Sequence, residues 1–174
     1  MSKKPNTHGG GAQTNANGLT FEQTTSLDEA LKSVGYSVNE NVVCDTDGNM
    51  QGYSVQKFKL YSVFLEPSGI DFKKYNSKKW LPDECFINTS NKTAYIIEKK
   101  FQNCSGSVDE KLPGCDFKKK EYVKLFAPLG YEVEYLYVFN DWFLQDVYKD
   151  TLDYIKDVGC TYYFNAIPLD YLGL

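Results

Sequence analysis

Asp83, Glu98 and Lys100 have the residue types and the spacing of a hydrolytic site. Pro82-Asp83 is followed, after fourteen intervening residues, by Glu98-Lys99-Lys100. The stretch Thr93–Phe101 (TAYIIEKKF) has the β-branched and aromatic residues of a strand with a polar end. Side chains alternate faces along a strand, so Ile96, Glu98, Lys100 and Gln102 point one way. Tyr95, Ile97, Lys99 and Phe101 point the other way, which makes Lys99 a solvated or helix-facing lysine. Asp83 begins the preceding strand, joined through a tight turn at Asn91-Lys92, and antiparallel pairing would bring its carboxylate beside Glu98. Two carboxylates can hold a hard divalent cation that keeps several waters, a description that magnesium meets. Such a cation polarises a phosphate and lowers the pKa of a bound water. Lys100 would orient that water and stabilise the charge developing on the phosphate oxygens. Such a site would suit phosphodiester hydrolysis; the plainer alternative is an ordinary salt bridge at a strand end, with Asp83 capping a turn.

Composition narrows the other options. The chain has 174 residues, room for one domain with a sizeable core. Hydrophobic residues at 42% and aromatics at 16% describe a globular chain. No apolar run is long enough to span a membrane, and the basic N-terminus lacks the apolar stretch of a secretory signal. A soluble, cytoplasmic protein is expected. Cys44, Cys85, Cys104, Cys115 and Cys160 are odd in number and lack close pairing, which suits reduced thiols better than disulfides or zinc. The single histidine, His8, lies in a Gly-rich stretch, so any catalysis here must rest on carboxylates and lysines, with or without a metal. Net charge is −4, but KLPGCDFKKKEYVK between Lys111 and Lys124 is locally basic. An acidic total with a basic working face is compatible with selective DNA binding.

The elements that must position the three residues follow from periodicity. Residues 1–18 are expected to form a flexible tail, and 19–174 a single domain. Leu19 to Val34 has the spacing of an amphipathic helix, broken near Thr24–Ser26 and stopped at Gly35. Val38–Val43 and Phe58–Leu65 are expected strands. Asp45-Thr46-Asp47-Gly48-Asn49 is a hairpin turn in preference to a calcium loop, which would need a terminal glutamate. Cys85–Asn88 is a short strand. Ser107 to Leu125 is mostly helical, with Pro113-Gly114 interrupting it and Asp116 as a cap for its second half. Ser107 and Glu110 have the spacing of a capping box, with phosphate contact by the backbone amides of Gly106 and Ser107 left open. Tyr131–Phe139 is a strand, more plausibly buried or dimer-facing than a base-stacking surface. Trp142–Val158 is a second long helix and Thr161–Ile167 a last strand. The order implies an α/β fold, with a central mixed sheet flanked by helices on both faces.

PD, a spacer and ExK at a strand end resemble the PD-(D/E)xK nuclease superfamily, which includes type II restriction endonucleases and Holliday-junction resolvases. The family's order of a helix, a three-stranded meander, a helix and a further strand is similar to that expected from Leu19 to Phe139. The resemblance implies a restriction-endonuclease-like core and a magnesium-dependent DNA endonuclease with Asp83, Glu98 and Lys100 catalytic. It implies Asp83 and Glu98 as metal ligands, with Glu22 on the first helix approaching the metal. Gln102 is the polar residue that often follows the lysine by two. Lys118, Lys119 and Lys120, with Ser107, are candidates for DNA contact, against the alternative of a solvated lysine run. NGLTFE, PDE, IIEKKFQ and GSVDEKL look most like small restriction enzymes. These cut double-stranded DNA, most simply as homodimers matching a palindromic site. The alternatives are a structure-specific repair or junction nuclease and a catalytically silent DNA-binding module.

Overall fold

The structure, a computed structural model, describes residue 21 and residues 24–174. The expected tail over 1–18 and the candidate metal neighbour Glu22 lie outside the described residues. Among those described, seven strands lie side by side in chain order: β1 (Ser37–Asn39), β2 (Val42–Cys44), β3 (Met50–Val55), β4 (Glu84–Asn88), β5 (Thr93–Lys100), β6 (Glu132–Phe139) and β7 (Thr161–Phe164). Pairing is antiparallel from β1 to β5 and parallel from β5 through β7. Antiparallel neighbours need only tight turns, whereas parallel ones need a crossover. Helices α2 (Cys115–Phe126) and α3 (Lys149–Asp157) lie in the two crossovers, and α1 (Leu27–Ser33) precedes the sheet.

The helices cover both faces, as the sequence implies. Leu112, Tyr122, Leu125 and Phe126 around α2 pack with Ile155 of α3, Leu60 and Phe64 on the face bearing Ile96, Tyr135 and Tyr137. Leu27 and Leu31 of α1 pack with Ile167 and Leu172 on the face bearing Phe86, Tyr95 and Ile97. Ser26 caps α1, its hydroxyl accepting from the Glu29 amide at 3.5 Å, so the helix restarts at the expected break.

Several expected elements differ. Val38–Val43 is a hairpin in place of a single strand: Glu40 and Asn41 have φ of 48° and 72°, the left-handed pair of a tight two-residue turn. β3, which the sequence reading passes over, pairs with β2 across the Asp45–Asn49 turn, where the Asp45 carboxylate accepts from the amides of Asp47 and Asn49. Gly52 is required in β3, because a Cβ there would stand 1.9 Å from the Ile87 carbonyl oxygen.

Phe58–Leu65 is not a strand. Leu60–Leu65 is a π-helical turn, and its buried residues Leu60, Tyr61, Phe64 and Leu65 follow helical spacing while Phe58 is 63% exposed. The cap of α2 is Gly114, with Asp116 inside the first turn. The Ser107–Glu110 capping box does not form: Glu110 donates its amide to Asp109 instead. Trp142–Val158 breaks at Gln145, whose backbone is extended, before α3 begins. That break lets Phe143 and Tyr148, five residues apart, both enter the core with ring centroids 5.0 Å apart. β7 ends at Phe164, ahead of Asn165 at φ 60°.

Candidate active site

The β4–β5 register sets Glu84 opposite Ile97 and Cys85 opposite Ile96. Asp83 therefore enters the sheet beside the polar end of β5. Its Oδ2 accepts from the Lys99 amide at 2.9 Å and lies 3.7 Å from Lys100 Nζ. Lys57, just beyond β3, pairs with Oδ1. Burial pushes the Asp83 carboxyl up, but the Lys100 charge, the Lys57 hydrogen bond and the Lys99 amide together hold it below the usual carboxylate range.

Glu98 is buried, and its Oε2 meets Lys100 Nζ at 3.0 Å and Lys118 Nζ at 3.5 Å. Beneath it lie the phenols of Tyr122 and Tyr135, raised above their ordinary value first by burial and then by the Glu98 charge. They stay protonated and add no negative charge to the site. Lys100 Nζ also stands 5.9 Å from the centre of the Tyr137 ring.

Lys99 is on the opposite face, as alternation requires, but it is not solvated. Its Nζ pairs with Glu84 Oε1 at 2.7 Å, both side chains being almost wholly buried. Glu84 also accepts from Gln56 Nε2 at 2.9 Å and from the first amide of α1, Leu27, at 3.4 Å. This pair joins β4, β5 and α1 directly behind the Asp83–Lys100 cluster.

The remaining candidates separate. The lysines of α2 are about 100° apart around the helix. Lys118 reaches Glu98, Lys119 reaches the Gly159 carbonyl at 2.6 Å and Glu134 at 3.4 Å, and Lys120 pairs with Asp116 at 2.7 Å in solvent. Lys118 alone of the three therefore meets the cluster. Ser107 is exposed in the turn ahead of Asp109–Gly114. Gln102 is buried, donating from Nε2 to the Cys104 carbonyl at 2.8 Å. Its backbone is clasped by Asn140: the Gln102 amide donates to Oδ1 at 3.1 Å, and Nδ2 donates to the Gln102 carbonyl at 2.8 Å.

Sequence reasoning missed Lys57 and the Glu84–Lys99 pair. Lys57 follows a strand that reasoning did not place, so its nearness to Asp83 was invisible. Glu84 carried a signal, because it occupies the opposite face of β4 from Cys85, as Lys99 does relative to Glu98 on β5.

Among the described residues, no three Asp, Glu, His or Cys side chains converge into a metal cage. Three oxygens nevertheless surround one cationic atom: Glu98 Oε2 at 3.0 Å, the Lys99 carbonyl at 3.0 Å and Asp83 Oδ2 at 3.7 Å all face Lys100 Nζ. Two carboxylates and a carbonyl are the hard oxygen donors that a divalent cation such as magnesium takes, leaving other positions to water. The residues present fit such an ion.

A sequence model of the PD-(D/E)XK nuclease superfamily domain matches residues 14–124, well over half the chain and inclusive of Asp83, Glu98, Lys100 and Lys118. No curated protein and no solved structure matches the chain.

Proposed function

The chain belongs to the PD-(D/E)XK nuclease superfamily, and from that premise we propose a magnesium-dependent endonuclease that cuts double-stranded DNA, a type II restriction enzyme acting as a homodimer. The observation that carries this reading is the ring of acidic and carbonyl oxygens from Asp83, Glu98 and Lys99 around Lys100 Nζ.

Asp83, Glu98 and the Lys99 carbonyl would hold the cation. A bound magnesium ion supplies polarisation of the phosphate and a water of lowered pKa. Lys100 now neutralises both carboxylates. Once they are otherwise neutralised, its ammonium is available to hold the attacking water and a phosphate oxygen. Asp83, held in its charged form, needs no deprotonation before it can serve as a ligand. Lys118 on Glu98 and Lys57 on Asp83 flank the cluster and add positive charge where a phosphate would enter. The protonated tyrosines beneath Glu98 wall the site from the core.

Incubation with plasmid DNA and magnesium is expected to give discrete fragments, and chelation by EDTA to stop the reaction. Absence of cleavage with any divalent metal would remove the endonuclease reading. Preference for a branched junction over linear duplex would replace restriction with a repair role.

A further inference from the structure

Residues 72–80 (FKKYNSKKW) carry four lysines and no acid, in a chain whose net charge is −4. The segment is fixed in place. Asn76 donates from Nδ2 to the Glu121 carbonyl of α2 at 3.0 Å. The Trp80 amide donates to the Tyr61 hydroxyl at 2.8 Å, and that hydroxyl donates to the Trp80 carbonyl at 3.0 Å. Trp80 Nε1 reaches Glu121 Oε2 at 3.3 Å.

The four lysines then divide. Lys79 is used internally, paired with Glu66 at 2.7 Å and lying over Tyr61. Lys73, Lys74 and Lys78 are exposed and, among the described residues, have no carboxylate partner. Lys78 Nζ stands 4.0 Å from the centre of the Trp80 ring, which fixes its ammonium without neutralising it.

The segment is also continuous with the cluster around Asp83. Trp80 lies three residues ahead of Asp83 in the chain, and its ring meets Phe117 edge-on at 5.6 Å. Phe117 is 55% exposed and adjoins Lys118, which touches Glu98. Contacts from Lys78 to Trp80, from Trp80 to Phe117 and from the adjoining Lys118 to Glu98 therefore link the segment to the candidate site.

We propose that Lys73, Lys74 and Lys78 form a clamp for the phosphate backbone of duplex DNA, positioning the strand for the Asp83–Glu98–Lys100 cluster. The assignment rests on the nuclease reading above and adds to it where the substrate lies. Duplex DNA carries one negative charge per roughly 1.7 Å of axis, dense enough to serve three ammonium groups from one short segment. Contacts of this kind set register and orientation without reading sequence.

The test is a titration of a labelled DNA duplex by fluorescence anisotropy, in EDTA to prevent cutting, between about 50 and 200 mM salt. The triple substitution K73Q/K74Q/K78Q lies on the surface and is expected to keep the fold, checked by thermal melting. It should weaken binding by at least about tenfold and make the slope of log Kd against log salt shallower by about 2.7, the value for three phosphates. The control K32Q/K149Q/K156Q removes equal charge from α1 and α3 and should change that slope by less than about 0.9, one phosphate. Equal slopes for the triple variant and the wild type overturn the clamp while leaving a cutting wild type a nuclease. A wild type that neither binds nor cuts DNA removes both readings. Polyglutamate competing as well as DNA at equal charge also overturns the assignment, since the surface would then suit an acidic protein.

Discussion

Lys99 and Lys100 are chain neighbours with opposite surroundings, and their substitutions should separate accordingly. Lys100 meets both site carboxylates and is a quarter exposed. K100M, like D83N or E98Q, is expected to lower cleavage by at least about a hundredfold while the far-UV circular dichroism of the folded chain is retained; retained cutting would remove the residue from the mechanism. Lys99 instead balances a buried carboxylate. K99A leaves Glu84 unpaired and should destabilise the fold by about 3–5 kcal/mol in urea unfolding. The double variant K99M/E84Q, which removes both charges, should recover most of that loss. Asp83 makes a pH-dependent contribution. Its folded carboxyl lies below the usual range, so its stabilisation is present above the unfolded value of about 3.9 and is lost as pH falls through the lower folded value. The gap in urea midpoint between wild type and D83N should therefore close in acid. Strand alternation made the facing of Glu98, Lys99 and Lys100 legible in the sequence. The Lys57 partner of Asp83 was not, because it depends on a contact between distant segments.

Elements were legible where period and length agreed. TAYIIEKKF is both β-branched and bounded by a turn, and it forms β5 nearly as expected. FKLYSVFL has strand-like residue types, but its apolar positions at 60, 61, 64 and 65 follow a helical face, and the packing obeys position over type. β3 carries a central Gly52 and weak alternation, so no local signal announced it; its identity is fixed by the close approach of Ile87. G52A should cost about 1–3 kcal/mol through overpacking and loosen the β3–β4 ladder. Because β4 follows directly from Asp83, cleavage should fall together with the urea midpoint. The Lys118–Lys120 run shows the same rule on a helix. Equal residue types serve three different surroundings, and K120A, remote from the cluster and exposed, should leave the urea midpoint close to that of the wild type and leave cutting intact.

At the scale of the molecule, the sheet joins an antiparallel half, β1 to β5, to a parallel half, β5 to β7. Both α2 and α3 belong to the parallel half, and α2 supplies Lys118 to a cluster otherwise built by the antiparallel one. The α/β class was legible because helical and strand patterns alternate along the chain. The division of the sheet was not, since pairing direction leaves no local mark. The Asn140 side chain grips the backbone of Gln102 from both sides, imitating one more rung of the ladder beyond Lys100. Unravelling of the chain after β5 is thereby displaced downstream, and fraying of the stretch that follows Gln102 leaves the Lys100 ammonium in place. N140A should uncouple this arrangement, with faster deuterium uptake at the Gln102 amide ahead of any change in the middle of β5.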